Sequence, residues 1–391
     1  MLGQPLEKLR FKNAQYTAKE IADQPELWLK TYSKIKEEKD HIQSFMSEVL
    51  DVENIQIVLT GAGTSAFIGE VLQIPFQEQT KRPSRALATT DLVTHFEKFI
   101  QPDRPLLLIS FARSGNSPES MATVKIANQL CETVYHLTIT CNASGSLATE
   151  LEGDNVLKFL LPPETEDKSL AMTSSFTNML LAGYLIAHIS KLEALESSIE
   201  ALADYGRFIL DKYASKFQEI SQMDFNRIVF LGSGPLLGVA NESHLKVQEL
   251  TDGKVVAKYD SFLGFRHGPK AVIDEKTLLV YLFSNNQYVH TYESDLVHDI
   301  VEGDYGKYTI GVMENGDDKM EMDLRIELPE KDHNLDENLL AVCLVLPAQM
   351  LGFFKSLQLG LSPDNPSVNG AISRVVQGVK IYPYNKDGIP S

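Results

Sequence analysis

Two stretches of this chain, VLTGAGTSAFIGEVL from Val58 and VFLGSGPLLGVANES from Val229, place a pair of glycines at the same point after an apolar run. Gly61 and Gly63 recur as Gly232 and Gly234, 171 positions later. An apolar run, a glycine-rich turn and a helical pattern in succession read as a buried strand handing over to a helix, and repeating that unit builds a parallel sheet covered by helices. The repetition surrounds both stretches. Residues 55–60, 106–111 and 134–140 are apolar runs followed by polar turns, with helical patterns from about Ser65, Pro118 and Leu147. Residues 228–231, 278–284 and 308–312 repeat the scheme, the last ahead of Glu314, Asn315 and Gly316. The fold class is therefore α/β, in two copies of one parallel-sheet unit.

A length of 391 residues suits two domains of ordinary size. Residues 1–50 read as an N-terminal helical segment, 51–205 as the first domain, and 206–391 as the second domain with a C-terminal tail. In the helical segment, Thr17-Ala-Lys-Glu20 has the spacing of a capping box, and KIKEEKD reads as a solvated face. The charged helical stretch from Ile186 to Gln222 reads as a connector. Thirty-six basic residues against 53 acidic give a net charge of −17, which argues against nucleic acid or an anionic membrane as partner. A small phosphate ester stays open, because helix N-termini and one or two basic side chains act at short range. Three scattered cysteines without a Cys-x-x-Cys pair point to a reducing compartment, so the cytoplasm is expected. The N-terminus has no apolar core of the signal-peptide kind. MLLAGYLIAHI, residues 179–189, is taken as the longest apolar run; it is shorter than the roughly 20 residues that span a bilayer and reads as a buried helix.

The chemistry concentrates in the loops that follow strands. Gly61-Ala-Gly63-Thr64-Ser65-Ala66 fits the relaxed dinucleotide fingerprint, but no acid stands at a second strand end about 20 residues on, which leaves a nicotinamide oxidoreductase as a minor reading. Ile109 to Ser120, ISFARSGNSPES, shifts the balance. Ser117 before Pro118 is a good helix cap, yet capping leaves Arg113, Ser114 and Gly115 without a purpose. Free amides, hydroxyls and a helix dipole at the carboxyl edge of a sheet suit a phosphate monoester, and Thr64 and Ser65 can close the same pocket.

Gly61-Ala-Gly63-Thr64-Ser65 followed by Ser110-Phe-Ala-Arg-Ser114-Gly115-Asn-Ser117 resembles the phosphosugar-binding motif of sugar isomerase (SIS) domains. FLGSGPLLGVANESHLKVQEL and FRHGPKAVID resemble the second SIS domain of the isomerase half of glucosamine-6-phosphate synthase. With the ending DNPSVNGAISRVVQGVKIYP, the chain is most similar to the AgaS branch, described as galactosamine-6-phosphate deaminase/isomerase or tagatose-6-phosphate ketose/aldose isomerase. The resemblance covers nearly the whole chain. It implies two tandem SIS domains, each a flavodoxin-like three-layer sandwich.

The resemblance also assigns residues. It implies that Gly63, Thr64, Ser65, Ser114, Gly115 and Ser117 hold the phosphate. Arg113 stands where the synthase has glutamine and makes the pocket more cationic. Thr173 and Ser174 fall near the sugar-contacting segment, with a helix cap as the equal alternative. Glu242, Lys246 and Glu249, spaced i, i+4 and i+7, share one helix face. That spacing alone describes an exposed ion-pair row. The resemblance implies instead that Glu249 is the base moving a proton between C1 and C2, with Glu242 and Lys246 as partners, and that His267 opens the sugar ring. In the synthase that histidine serves the neighbouring subunit, which implies a homodimer or higher homo-oligomer with a shared site. Arg374 is the basic residue nearest the place of a tail lysine in the synthase. No cofactor and no metal are expected. Deamination with hydrolytic loss of ammonia is the favoured outcome, plain ketose/aldose isomerisation the second. A non-catalytic phosphosugar sensor is a third reading, which needs the phosphate loop but neither Glu249 nor His267.

Overall fold

The computed structural model describes residues 1–303, 305–314, 320–329, 334–376 and 378–384. Two all-parallel five-stranded sheets form, as expected from the repeat. The first contains β1 (Gln56–Thr60), β2 (Ser84–Ala86), β3 (Leu106–Ala112), β4 (Val134–Thr140) and β5 (Val156–Leu160), in the order β2-β1-β3-β4-β5. The second contains β6 (Arg227–Gly232), β7 (Val256–Asp260), β8 (Thr277–Leu282), β9 (Tyr308–Met313) and β10 (Leu324–Glu327), in the order β10-β9-β8-β6-β7. Read from their own first strands, the two orders are the same. β1 and β3 are buried along their whole length, which is why they are legible as continuous apolar runs. The edge strands β2 and β10 are short and half polar and carry no such signal. Asn315 and Gly316, expected to turn the chain after β9, lie outside the described residues.

The chain divides into two compact units. One comprises Lys30–Glu166, Asn178–Leu192 and Ile372–Ser391 and holds the first sheet; the other comprises Met1–Leu29, Asp167–Thr177 and Glu193–Ala371 and holds the second. Strand order reverses beside β1 in one unit and beside β6 in the other. The loops that leave β1 and β3, or β6 and β8, therefore diverge at the carboxyl edge, where open α/β sheets take their ligands.

The repeated glycines are required by the backbone. Gly63 (φ +55°, ψ −129°) and Gly234 (φ +54°, ψ −125°) share a conformation that side chains rarely adopt. Gly61 needs its missing side chain for another reason: a Cβ there would lie 2.5 Å from the backbone of Ser65, and one on Gly232 would lie 2.3 Å from the Leu236 carbonyl. Gly61→Ala is expected to destabilise the protein by about 1–3 kcal/mol through overpacking, read as a lower urea midpoint at unchanged m.

Two expectations are corrected. Thr17 does not cap a helix: it lies inside the Gln15–Ala22 helix, whose amides at Tyr16 and Thr17 are bonded by the Asp364 carboxylate at 3.2 and 2.8 Å. The sequence pattern fits a local box, but a carboxylate 347 positions away takes the role. The stretch read as a connector, Ile186 to Gln222, passes from the first-sheet unit into the second-sheet unit after Leu192. Its Glu196–Ser221 helix buries Tyr205, Ile209, Phe217 and Ile220 in the second-sheet unit, against the Leu346–Gln358 helix. Finally, the helical run 337–358 exceeds Met179–Ile189 in apolar length. By length and composition it could cross a membrane, but its apolar window is wholly buried inside the protein.

Candidate active site

The first-sheet unit builds a cradle from two loops. At the end of β1 the chain turns through Gly61 and Gly63 into the Thr64–Thr80 helix, with Thr64 and Ser65 as its first residues, both nearly buried. At the end of β3 it passes the buried Arg113 and turns at Gly115 (φ +67°) into the Pro118–Leu130 helix. Neither Gly63 nor Ser117 caps its helix with a side chain. The Ser117 hydroxyl pairs with that of Ser120 at 2.6 Å, so the plain capping role is not the one it takes here. Two helix N-termini thus face the same sheet edge without a side-chain cap, an arrangement suited to an anion.

This second loop is held from behind by the loop after β4. Asn142 donates to the Ser114 carbonyl at 3.1 Å, Leu147 N–H to the Gly115 carbonyl at 3.1 Å, and Ser146 N–H to the Asn116 side chain at 3.0 Å. Gly145 permits the approach, because a Cβ there would sit 2.3 Å from the Ser114 carbonyl. Such bracing fixes the cradle before a ligand arrives. The C-terminal tail joins the same unit. Arg113 donates through its guanidinium to the Arg374 carbonyl, and the Arg374 guanidinium pairs with Glu166 at 3.0 Å. Arg113 therefore ties the loop to the tail, a connection that neither residue's spacing announces.

The second-sheet unit supplies the titratable cluster. The Pro235–Leu250 helix starts after Gly234 and carries Glu242, Lys246 and Glu249. The spacing alone reads as an exposed row, but the structure buries it. Side chains of Glu242 and Lys246 are 0% exposed and that of Glu249 is 22% exposed. The Lys246 ammonium lies 3.3 Å from Glu242 Oε1 and 2.6 Å from Glu249 Oε2. Burial works against its charge, yet the two carboxylates outweigh burial and hold it above the usual lysine range. Gly352 on the Leu346–Gln358 helix allows the close packing, with its missing Cβ 2.9 Å from Leu250 and 3.3 Å from the Lys246 carbonyl.

His244 on the same helix escaped the sequence reading, since it is off the face shared by the other three. Its ring lies 4.9 Å from Tyr259, and burial pushes its pKa down, with Lys246 and Glu249 both acting on it. His267 is placed differently from the cluster. It sits exposed at the tip of a loop whose flanking Arg266 and Lys270 both pair with Asp299. Gly268 turns the chain beside it at φ +116°, and among the described residues its ring has no hydrogen-bond partner.

Thr173 and Ser174 lie inside the protein. Both are 0% exposed, at the start of the Ser174–Ala187 helix. Asp167 accepts from the amides of Thr173, Ser174 and Ser175 at 2.8, 3.1 and 2.9 Å. Of the two expected roles, sugar contact and helix cap, the structure addresses the second: the amides of this buried helix start need an acceptor, and Asp167 supplies it. Among the described residues no cluster of three or more His, Cys, Asp or Glu side chains could hold a metal ion.

The model of the SIS domain matches residues 50–189, the stretch that contains the first cradle. D-galactosamine-6-phosphate deaminase AgaS from Escherichia coli is 40% identical over 371 residues, covering 94% of this chain and 96% of the relative. The chain belongs to the AgaS family. The fold agrees with that membership. A proposed tagatose-6-phosphate ketose/aldose isomerase from Clostridium novyi superposes with a TM-score of 0.95 at 40% identity, over 98% of this chain and 99% of that one. The tagatose-6-phosphate ketose/aldose isomerase from Escherichia coli gives 0.87 at 38% identity, over 94% and 96%. The two parallel-sheet units of this chain lie within the stretch those superpositions cover.

Proposed function

We propose that this protein converts galactosamine-6-phosphate to tagatose-6-phosphate and ammonia. The observation that carries the reading is the buried Glu242–Lys246–Glu249 cluster, together with the names of the AgaS relatives. The braced loops around Thr64, Ser65, Ser114, Gly115 and Ser117 hold the 6-phosphate. His267 opens the sugar ring. Glu249 takes the proton from C2 of the open-chain amino sugar and returns it to C1, leaving an imine at C2. Water adds to the imine and the C2–N bond breaks, giving the ketose and ammonia. Glu249 suits this task because it is the partly exposed carboxylate of the cluster, able to meet substrate, while Lys246 and the enclosed Glu242 hold its orientation.

The exposed, unpartnered ring of His267 favours a homodimer in which it serves a neighbouring copy. Three buried free cysteines fit a reducing cytoplasm. Plain isomerisation without deamination is the second reading, favoured by the names of the solved relatives. Incubation with galactosamine-6-phosphate is expected to release ammonia and tagatose-6-phosphate in equal amounts. Absence of ammonia, with tagatose-6-phosphate still interconverted with its aldose, would overturn deamination and leave the isomerase.

A further inference from the structure

The duplication places a second copy of the phosphate cradle in the second-sheet unit, at the loops after β6 and β8. Shifting by 171 positions sets Pro235 opposite Thr64, Leu236 opposite Ser65, Ser284 opposite Arg113 and Tyr288 opposite Ser117. The backbone is kept in the loop after β6, as the matching conformations of Gly63 and Gly234 show, whereas in the loop after β8 Asn286 at φ −80° stands opposite Gly115 at φ +67°. The hydroxyls are not kept in either loop. The same shift sets Glu293 opposite Ala122. Ala122 is buried on the Pro118–Leu130 helix and carries no polar group. Glu293 is 0% exposed, on the Gln287–Glu302 helix, and turns its carboxylate back to the loop, where Oε2 accepts the Ser284 amide at 2.9 Å. The Ser233 side chain, from the loop after β6, bonds it as well. Asn286 meanwhile satisfies the first amides of the helix itself, accepting from Tyr288 and Val289 at 3.0 and 3.4 Å.

We infer that Glu293 is a built-in anion, occupying the second cradle in place of a phosphate, so that each chain binds a single phosphoester. The basic side chain that faces this carboxylate is His290 on the same helix, whose Nδ1 lies 3.9 Å from Glu293 Oε2 and is charged only when protonated. Burial raises the Glu293 pKa to about 7, with the Glu337 charge adding to the rise, against the bonds from Ser284 and Ser233. One oxygen, Oε1, has no hydrogen-bond partner. A group placed for stability alone would be better replaced by an apolar side chain of similar size. What this carboxylate does provide is an acceptor where the repeat's backbone presents donors, and negative charge that repels a second phosphate.

The inference rests on the reading of the first cradle as the phosphate site, and the test separates the two. Equilibrium dialysis with radiolabelled inorganic phosphate is expected to find one phosphate per wild-type chain and two per Glu293→Ala chain. The reciprocal variant Ala122→Glu, which sets the same carboxylate in the first cradle, is expected to weaken phosphate binding by about a hundredfold through like-charge contact. Circular dichroism establishes that each variant is folded. Two phosphates on the wild type, or one on a natively folded Glu293→Ala chain, would overturn the inference. Adding Ser114→Ala to Glu293→Ala is expected to remove the first phosphate and leave the second. Wild-type binding by the Ser114→Ala single variant would instead overturn the reading of the first cradle.

Discussion

Glu249→Gln is expected to lower kcat for the sugar phosphate by about a thousandfold, while inorganic phosphate still competes at its wild-type concentration. The size follows from losing a positioned general base, which contributes roughly 10²–10⁴. Glutamine keeps the volume and a polar contact with Lys246, so the fold and the Lys246–Glu242 pair at 3.3 Å remain. Only the capacity to take and return a proton is lost. Retained turnover would overturn the role of Glu249 and favour a phosphosugar sensor, which needs the cradle and not the base. Pre-steady-state measurement of proton exchange from C2 gives the same answer independently, since exchange stops with the base removed.

Lys246→Met is expected to cost about 3–5 kcal/mol of stability, the range for breaking a buried ion pair from one side. Both carboxylates lie within 3.3 Å of the ammonium, and Glu242 is fully enclosed, so removing the cation leaves negative charges close together in a medium that solvates them poorly. Methionine is near lysine in length, which limits the cavity term. The loss is read from urea denaturation. Adding Glu242→Gln to this variant recovers most of it, because the buried charge goes with its partner. A loss below about 1 kcal/mol, the range of a surface pair, would show that the cluster is not sealed in solution.

The strands of both sheet centres could be read from sequence because a strand buried on both faces is a continuous apolar run. The edge strands could not, since a strand of three or four residues covered on one side leaves too little pattern. Ser84–Ala86 and Leu324–Glu327 are of that kind. Local signals misled where a distant group took the bond. Thr17 had capping-box spacing but is bonded by Asp364, and the amides of Thr173 and Ser174 are held by Asp167. His244 went unnoticed because a titratable residue off the expected face stands out only once its burial is known.

The 171-residue recurrence of Gly61 and Gly63 as Gly232 and Gly234, with the apolar runs around them, was enough to give the duplication, the parallel sheets and the position of one equivalent loop in each half. The reason is that a turn requiring a positive φ, or the absence of a Cβ, admits glycine and little else, so backbone geometry is written directly in residue type. The fate of the polar side chains was decided only by tertiary structure. Glu242, Lys246 and Glu249 have the spacing of a solvated row, and the Leu346–Gln358 helix, brought close by Gly352, makes them a buried cluster. Glu293 has no motif at all, and the packing of its helix sets its carboxylate on the Ser284 amide. Spacing relates a residue to its own helix or strand; what covers that element depends on a surface from far along the chain, and burial sets whether a charge is screened, paired or put to use.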